Sequence, residues 1–276
     1  MTETTDIPTE ERVTYTVTDG IADVRMVRAD KMNALDDAMF DALIETGKKL
    51  KNDPTVRVVV ISGEGRSFCA GLDASRLSGM GDGTAKARDL DGIEPVGPAK
   101  AKGQQAAYVW IDLPVPVIAA VHGYALGGGL QIALGADIRI ATPDAKLSVM
   151  ETKWGLIPDM IGTTILPELV GRDVAKELTY TARIISGEEA DRIGLVTRLS
   201  DDPHKAALEL AAEINTRNPH AVRLAKELLE SSGRVSVEEQ LDAEQVAIKA
   251  LIGTPNQRES VAAGMAKRAP KFADVE

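Results

Sequence analysis

HGYALGGGLQIALGAD, residues 122–137, is an apolar run broken by three adjacent glycines, Gly127, Gly128 and Gly129. Side chains are what such a run packs with, so giving up three in succession needs a local reason. PVIAAV at 116–121 reads as a buried strand and GLQIALGA as a short helix, with the glycines forming the turn between them. A strand that stops at such a turn and starts a helix exposes several backbone N–H groups at the positive end of the helix dipole. Glycine permits unusual φ values there and lets a ligand approach the main chain closely. The turn lacks the lysine of a P-loop and the GxGxxG spacing of a dinucleotide fold. Polarising a carbonyl oxygen is a further use of these amides, and it needs a second donor from elsewhere in the chain. Close strand–helix packing alone is the plainer alternative.

Residues 115–138 are long enough to span a bilayer, and Gly123 and Gly127 form a GxxxG. Pro116, His122, Gln131 and Asp137 interrupt the stretch, and neither edge carries basic residues, so a strand, a turn and a buried helix fit better. The rest of the composition is that of an ordinary globular protein, with 44% hydrophobic and 27% charged residues over 276 positions. Lys and Arg total 32 against 42 Asp and Glu, and the resulting charge of −10 disfavours a nucleic-acid partner. Cys69 is the only cysteine, which excludes an internal disulfide and suits a reducing compartment. The start, MTETTDIPTEER, has neither the basic flank nor the apolar core of a signal peptide, so cytoplasm is expected, with no membrane association. The three histidines, at 122, 204 and 220, are scattered, and no metal-ligand spacing is present.

The chain divides into a polar head (1–12), an α/β body (13–200) and a helical lobe (201–276). Val13, Tyr15 and Val17 alternate with threonines as in a half-buried strand, and IADVRMV makes a second. A helix follows from Asp36, with Lys48, Lys49 and Lys51 at its dipole-negative end. VRVVVIS at 56–62 reads as a strand covered on both faces. Residues 78–105 are expected to be a long mobile loop, with helix resuming near Gln104. ADIRIAT and KLSVM look like further strands. Helices then dominate, with capping boxes at Ser186/Glu189 and Ser236/Glu239, and an N-cap before proline at Asp202 and Asn218. The stripe of Val237, Leu241 and Val246 serves either intramolecular packing or a partner subunit.

A second glycine-bearing segment, RSFCAGLDAS at 66–75, directly follows the VRVVVIS strand. Together, FCAGLD and HGYALGGG resemble the two oxyanion-hole segments of the crotonase superfamily, the enoyl-CoA hydratases and isomerases. RADKMNAL at 28–35, ADIRIAT, PELVG at 167–171 and KRAPKF at 267–272 follow the same pattern in order, so the resemblance covers about residues 13–272. It implies an α/β fold, a crotonase-like spiral of ββα units, with a C-terminal helical lobe that assembles homotrimers or dimers of trimers. It also implies an acyl-CoA substrate, with coenzyme A present as part of the thioester and no permanently bound cofactor. Carried onto this chain, the oxyanion donors are the backbone N–H groups of Leu72 and Gly128. Gly71, Asp73, Gly127 and Gln131 would lie against the substrate, Ala70 and the segment from Arg28 to Lys31 would meet the adenine end, and Lys267 and Phe272 would help cover CoA.

Hydratases of this family carry two glutamates flanking the attacking water. At the first of these positions this chain has Gln131, whose amide orients a water but cannot exchange a proton at neutral pH. The second position holds Glu151, and Asp159 follows in GLIPDMIG. An aspartate at that offset resembles the dienoyl-CoA isomerase branch, although that branch also has an acid where Gln131 stands. The expected chemistry is double-bond isomerisation with Asp159 as base and Glu151 as proton donor, in surroundings made apolar by Trp154, Leu156, Ile157 and Met160. Hydration of a 2-enoyl-CoA through Glu151 stays open, as does a non-catalytic CoA-binding or scaffold role. Asp159 as a mere turn residue after Pro158 stays open too.

Overall fold

The computed structural model describes residues 11–83 and 93–275. Most of the expected head, and residues 84–92 of the expected loop, lie outside the described residues. Arg12, placed in the head by sequence, is anchored: its carbonyl accepts from Val27 N at 2.9 Å and its guanidinium meets Asp36 at 3.0 Å.

The threonine-rich β1 (Val13–Thr18) pairs antiparallel with β2 (Ile21–Met26). From β2 onward the pairing is parallel. β3 (Val58–Gly63), β4 (Val117–Val121), β6 (Ile138–Ala141) and β9 (Arg198–Leu199) complete a sheet in the order β1-β2-β3-β4-β6-β9. A smaller sheet has the order β5 (Tyr124–Leu126), β7 (Lys146–Ser148), β8 (Ile185–Ser186). The chain leaves β4, enters the second sheet through β5 and only then reaches the glycines. That intervening strand, three residues long, is too short to show a period in the sequence.

Alternation along β3 puts Val59 and Ile61 into the main core with α1 (Asp37–Lys51), α3 (Lys102–Ile111) and α4 (Gly128–Leu134). Val58 and Val60 face the other way, onto Ala207 and Ala211 of α8 (Pro203–Asn215). The 200/201 boundary read from the sequence thus precedes a helix that covers the second face of the sheet. The expected long loop contributes α2 (Ala74–Gly81), and α3 begins at Lys102. Beyond β7 come α5 (Gly162–Val170), α6 (Arg172–Thr181), α7 (Gly187–Arg192), α9 (Pro219–Ser231), α10 (Val237–Leu251) and α11 (Pro255–Met265). The 115–138 stretch is β4, β5 and α4, and no described helix is long and apolar enough to cross a membrane.

The helix starts follow the capping signals. Asp36 accepts from Met39 N at 2.8 Å, and Ser236 and Glu239 form a complete capping box. At Ser186 only half of the box forms: its hydroxyl accepts from Glu189 N, while the Glu189 carboxylate goes to Arg183 at 2.8 Å. Lys226 joins α9 to the sheet, donating to Asp137 at 2.9 Å and to the Val115 carbonyl at 3.0 Å. Val237, Leu241 and Val246 stay exposed on α10, so the stripe does not pack within this chain.

One buried side chain joins the segments that follow β2 and β3. Asn33, fully buried with φ +55°, donates to the carbonyls of Glu64, Ser67 and Phe68 at 2.9–3.1 Å and accepts from Arg28 N at 2.9 Å. Asparagine tolerates this left-handed backbone better than most residues. Asn33→Ala leaves these carbonyls without their donor and is expected to lose about 2–4 kcal/mol of stability, read from urea unfolding midpoints.

Candidate active site

Both glycine-bearing segments start where parallel strands end, and they are hydrogen-bonded side by side. Phe68 N donates to His122 O at 2.8 Å, Cys69 N to Tyr124 O at 2.9 Å, and Leu126 N returns to Cys69 O at 3.1 Å. The RADKMNAL segment closes on the other edge: Leu35 N donates to Gly71 O at 2.8 Å and Asp73 N to Leu35 O at 3.1 Å. In such a parallel bridge Leu35 serves the residues on either side of Leu72, so the Leu72 N–H points away from it. Gly128 opens α4, where the first N–H groups have no intrahelical acceptor. Neither the Leu72 nor the Gly128 N–H has a hydrogen-bond partner among the described residues.

The glycines hold these amides close together. A Cβ on Gly71 (φ +86°) would lie 2.5 Å from the Leu126 carbonyl oxygen and 3.8 Å from Gly128 N. One on Gly129 would meet the Cys69 carbonyl oxygen at 2.4 Å. Gly127 has φ +51°, and its Cβ position lies 3.3 Å from Glu151 Oε1. Tight packing and open amides are therefore features of the same turn. Cys69 is a small core residue: burial pushes its thiol up to about 12, and Sγ donates to Asn33 O. His122 bonds the Gly65 carbonyl.

Glu151 begins a single 3₁₀ turn (Glu151–Trp154) after β7. Its Oε1 accepts from Gln131 Nε2 at 2.6 Å, while the buried Oε2 has no partner. Burial pushes the carboxyl above its ordinary range, the Glu151 backbone and the Gln131 donation oppose that, and the negative charge of Asp159 adds to it. Asp159 is exposed, on the turn that leads into α5. The Gly71 and Gly127 turns thus lie beside Leu72, Gly128 and Glu151, and Asp159 is near enough for its charge to act on Glu151.

Several sequence-based expectations need correction. Gln131, expected against the substrate, is only 1% exposed, and its amide is used internally, accepting from Met160 N and Gly162 N at 2.8 Å. Arg28 is not a free cation: it donates to Asp73 at 2.6 Å and to the Ala34 carbonyl at 3.0 Å. Asp73 is held at about 2, chiefly by the Ser75 hydroxyl with help from the Ser75 amide and Arg28, and it caps α2. The expectation for Ala70 and Lys31 is not altered: the Ala70 N–H is tied to Met32 O at 2.9 Å, and Lys31 is exposed and forms no ion pair among the described residues. Lys267 and Phe272 are not brought to this cluster within one chain. The Phe272 carbonyl accepts from Arg57, just before β3, at the opposite end of that strand from the glycine turns. Trp154 and Ile157 are 53% and 69% exposed, so of the expected apolar surroundings only Met160 is buried. Asn33 and the left-handed Ile161 (φ +85°) went unrecognised by sequence; Asn inside the KMNAL turn was a usable signal, whereas nothing marks an isoleucine for positive φ.

Because the folded carboxyl of Glu151 holds its proton to higher pH than the ordinary 4.5, the folded state binds more protons than the unfolded one in that window. Stability attached to this group is complete below that value and is lost as pH rises through the folded pKa. Glu151→Gln keeps an acceptor for Gln131 and removes the buried charge. It is expected to exceed the parent protein in stability by about 1 kcal/mol at pH 8, a rise of roughly 2–4 °C in Tm, with a smaller difference at pH 5. Thermal unfolding at the two pH values checks this.

Comparison with known proteins agrees with the geometry. Residues 16–275 match the family described as enoyl-CoA hydratase/isomerase. Mouse mitochondrial methylglutaconyl-CoA hydratase is 34% identical over 92% of this chain and 79% of its own length. The peroxisomal Delta(3,5)-Delta(2,4)-dienoyl-CoA isomerase of Arabidopsis thaliana is 34% identical over 90% of this chain and 91% of its own. An enoyl-CoA hydratase from Bacillus anthracis superposes with a TM-score of 0.85 at 33% identity, covering 95% of this chain and 98% of the other. With the α/β body, the helical C-terminal region and a match along nearly its whole length, the chain belongs to the enoyl-CoA hydratase/isomerase family of the crotonase superfamily.

Proposed function

We propose that this member of the family moves a double bond along the acyl chain of an enoyl- or dienoyl-CoA. The thioester oxygen sits between the Leu72 and Gly128 amides, which stabilise the enolate as it forms, each contributing about 3–4 kcal/mol to the lowered barrier. Asp159 removes a proton from one carbon of the conjugated system, and Glu151 delivers one from Oε2 at the other end. The electron pair moves through the enolate between these two events, so no atom is gained or lost and no resident cofactor is needed.

The observation that carries this reading is the state of the acid–base groups. One carboxyl is buried, biased toward its protonated form and left with one oxygen that has no hydrogen-bond partner, and it feels the charge of a second, exposed carboxylate. Position 131, where a hydratase would keep its other acid, holds an amide used internally. A donor and an acceptor are therefore present, but not the pair of glutamates that grips a water. The same reading has the exposed apolar stripe of α10 covered by further copies of the chain, as a trimer or a pair of trimers.

Assays with a 3,5-dienoyl-CoA and a 2-enoyl-CoA test the assignment. Double-bond migration is expected to exceed water addition, and Glu151→Gln and Asp159→Asn are each expected to lower kcat for migration by about 10²–10⁴-fold. The pH–kcat curve should be bell-shaped, its high-pH limb reporting loss of the Glu151 proton. Faster hydration than migration makes the protein a hydratase, an unchanged rate in Asp159→Asn removes that residue's role, and CoA binding with no turnover leaves a binding module.

A further inference from the structure

Gln131 is buried in the wall of the site, yet its single amide reaches both segments that carry a carboxylate. Its Oε1 accepts from Met160 N and from Gly162 N, both at 2.8 Å, and its Nε2 donates to Glu151 Oε1 at 2.6 Å. The reversed amide would set NH₂ against two backbone N–H donors, so the network fixes this orientation. The two amides captured by Oε1 bracket Ile161, a β-branched residue at φ +85°. Backbone in that region is strained for isoleucine and persists only where its surroundings hold it. Asp159 lies two residues before it. A side chain with no proton to exchange thus fastens the turn that bears the base.

Its other end acts on Glu151. A neutral carboxyl has one carbonyl and one hydroxyl oxygen, and an N–H donor prefers the carbonyl. Oε1 is therefore the carbonyl oxygen, and the proton belongs on Oε2, the buried oxygen that has no hydrogen-bond partner. After that proton leaves, the same N–H remains on the carboxylate and stabilises it. Packing alone would require none of this: methionine fills a similar volume without a donor or acceptor.

We propose that Gln131 is the positioning residue of the site, assigning the transferable proton to Glu151 Oε2 and holding the Ile161 turn so that Asp159 keeps a fixed register with Glu151. This rests on the isomerase reading above. The test is the pH dependence of double-bond migration in Gln131→Glu and Gln131→Met beside the parent protein. Gln131→Glu keeps the shape and the oxygen that binds Met160 N and Gly162 N, but once ionised it cannot donate to Glu151. Gln131→Met keeps only the volume. Both are expected to lose about 10-fold or more in kcat with KM changed far less. The high-pH limb should move upward in both, because the one side-chain donor that favours ionised Glu151 is gone, and further in Gln131→Glu, where a like charge is added. A limb that stays at the parent pH, with kcat falling only in proportion to the folded fraction, overturns the proposal and leaves packing. If Glu151→Gln and Asp159→Asn leave migration intact, the isomerase reading itself fails. If they abolish it while the limb ignores position 131, only the positioning role falls.

Discussion

Leu35 donates to Gly71 and accepts from Asp73, and those two hydrogen bonds decide which way the amide of Leu72 points. Everything at the site follows from that bridge and its neighbour, the parallel contact of Cys69 with Ala125. Backbone amides in a folded interior are nearly all paired. Here the N–H groups of Phe68, Cys69, Ala70, Asp73 and Leu126 are all paired, whereas those of Leu72 and Gly128 have no partner among the described residues. The open donors are what the surrounding hydrogen bonds leave over, held in place by residues that cannot move independently. Gly129 lies against the Cys69 backbone, and Asn33 fastens the carbonyls of Ser67 and Phe68 from behind.

The carboxylates obey a different constraint. Glu151 is buried where its ionised form is disfavoured, and one of its oxygens has no protein partner. Burial with one unpartnered oxygen is costly for stability, and perturbed groups of this kind cluster at functional sites. Asp159 keeps to the surface of the same cluster. Two like groups thus occupy unlike environments, one buried and one exposed.

Much of this architecture was legible because local signals agree with the tertiary outcome. The all-apolar run of β3 foretold a strand buried on both faces, and Asp36, Asn218 and Ser236 cap the helices they precede. The two amide donors were readable only through resemblance, since no spacing rule says that residues 72 and 128 will meet. What sequence misjudged is where charged and apolar side chains go once partners are available. Arg28 belongs to the segment expected at the adenine end, yet its guanidinium is engaged by Asp73 and the Ala34 carbonyl. Trp154 reads as apolar surroundings for the carboxylates, yet it is exposed with Lys153 over its ring. The role of Gln131 was hidden because an amide in a helix gives no hint that its partners lie at residues 151, 160 and 162.

The placement of α8 has a consequence for how the chain reaches this state. Val58 and Val60 on β3 stay uncovered on one face until a helix well over a hundred residues later docks against them. β6 likewise waits for β9. A nascent chain emerging from the ribosome therefore presents a naked parallel sheet long before its second layer exists. Ring closure over such separations is slow, and apolar strands left bare meanwhile invite association with other chains. The parallel sheet is thus completed only when the C-terminal part of the chain has been made.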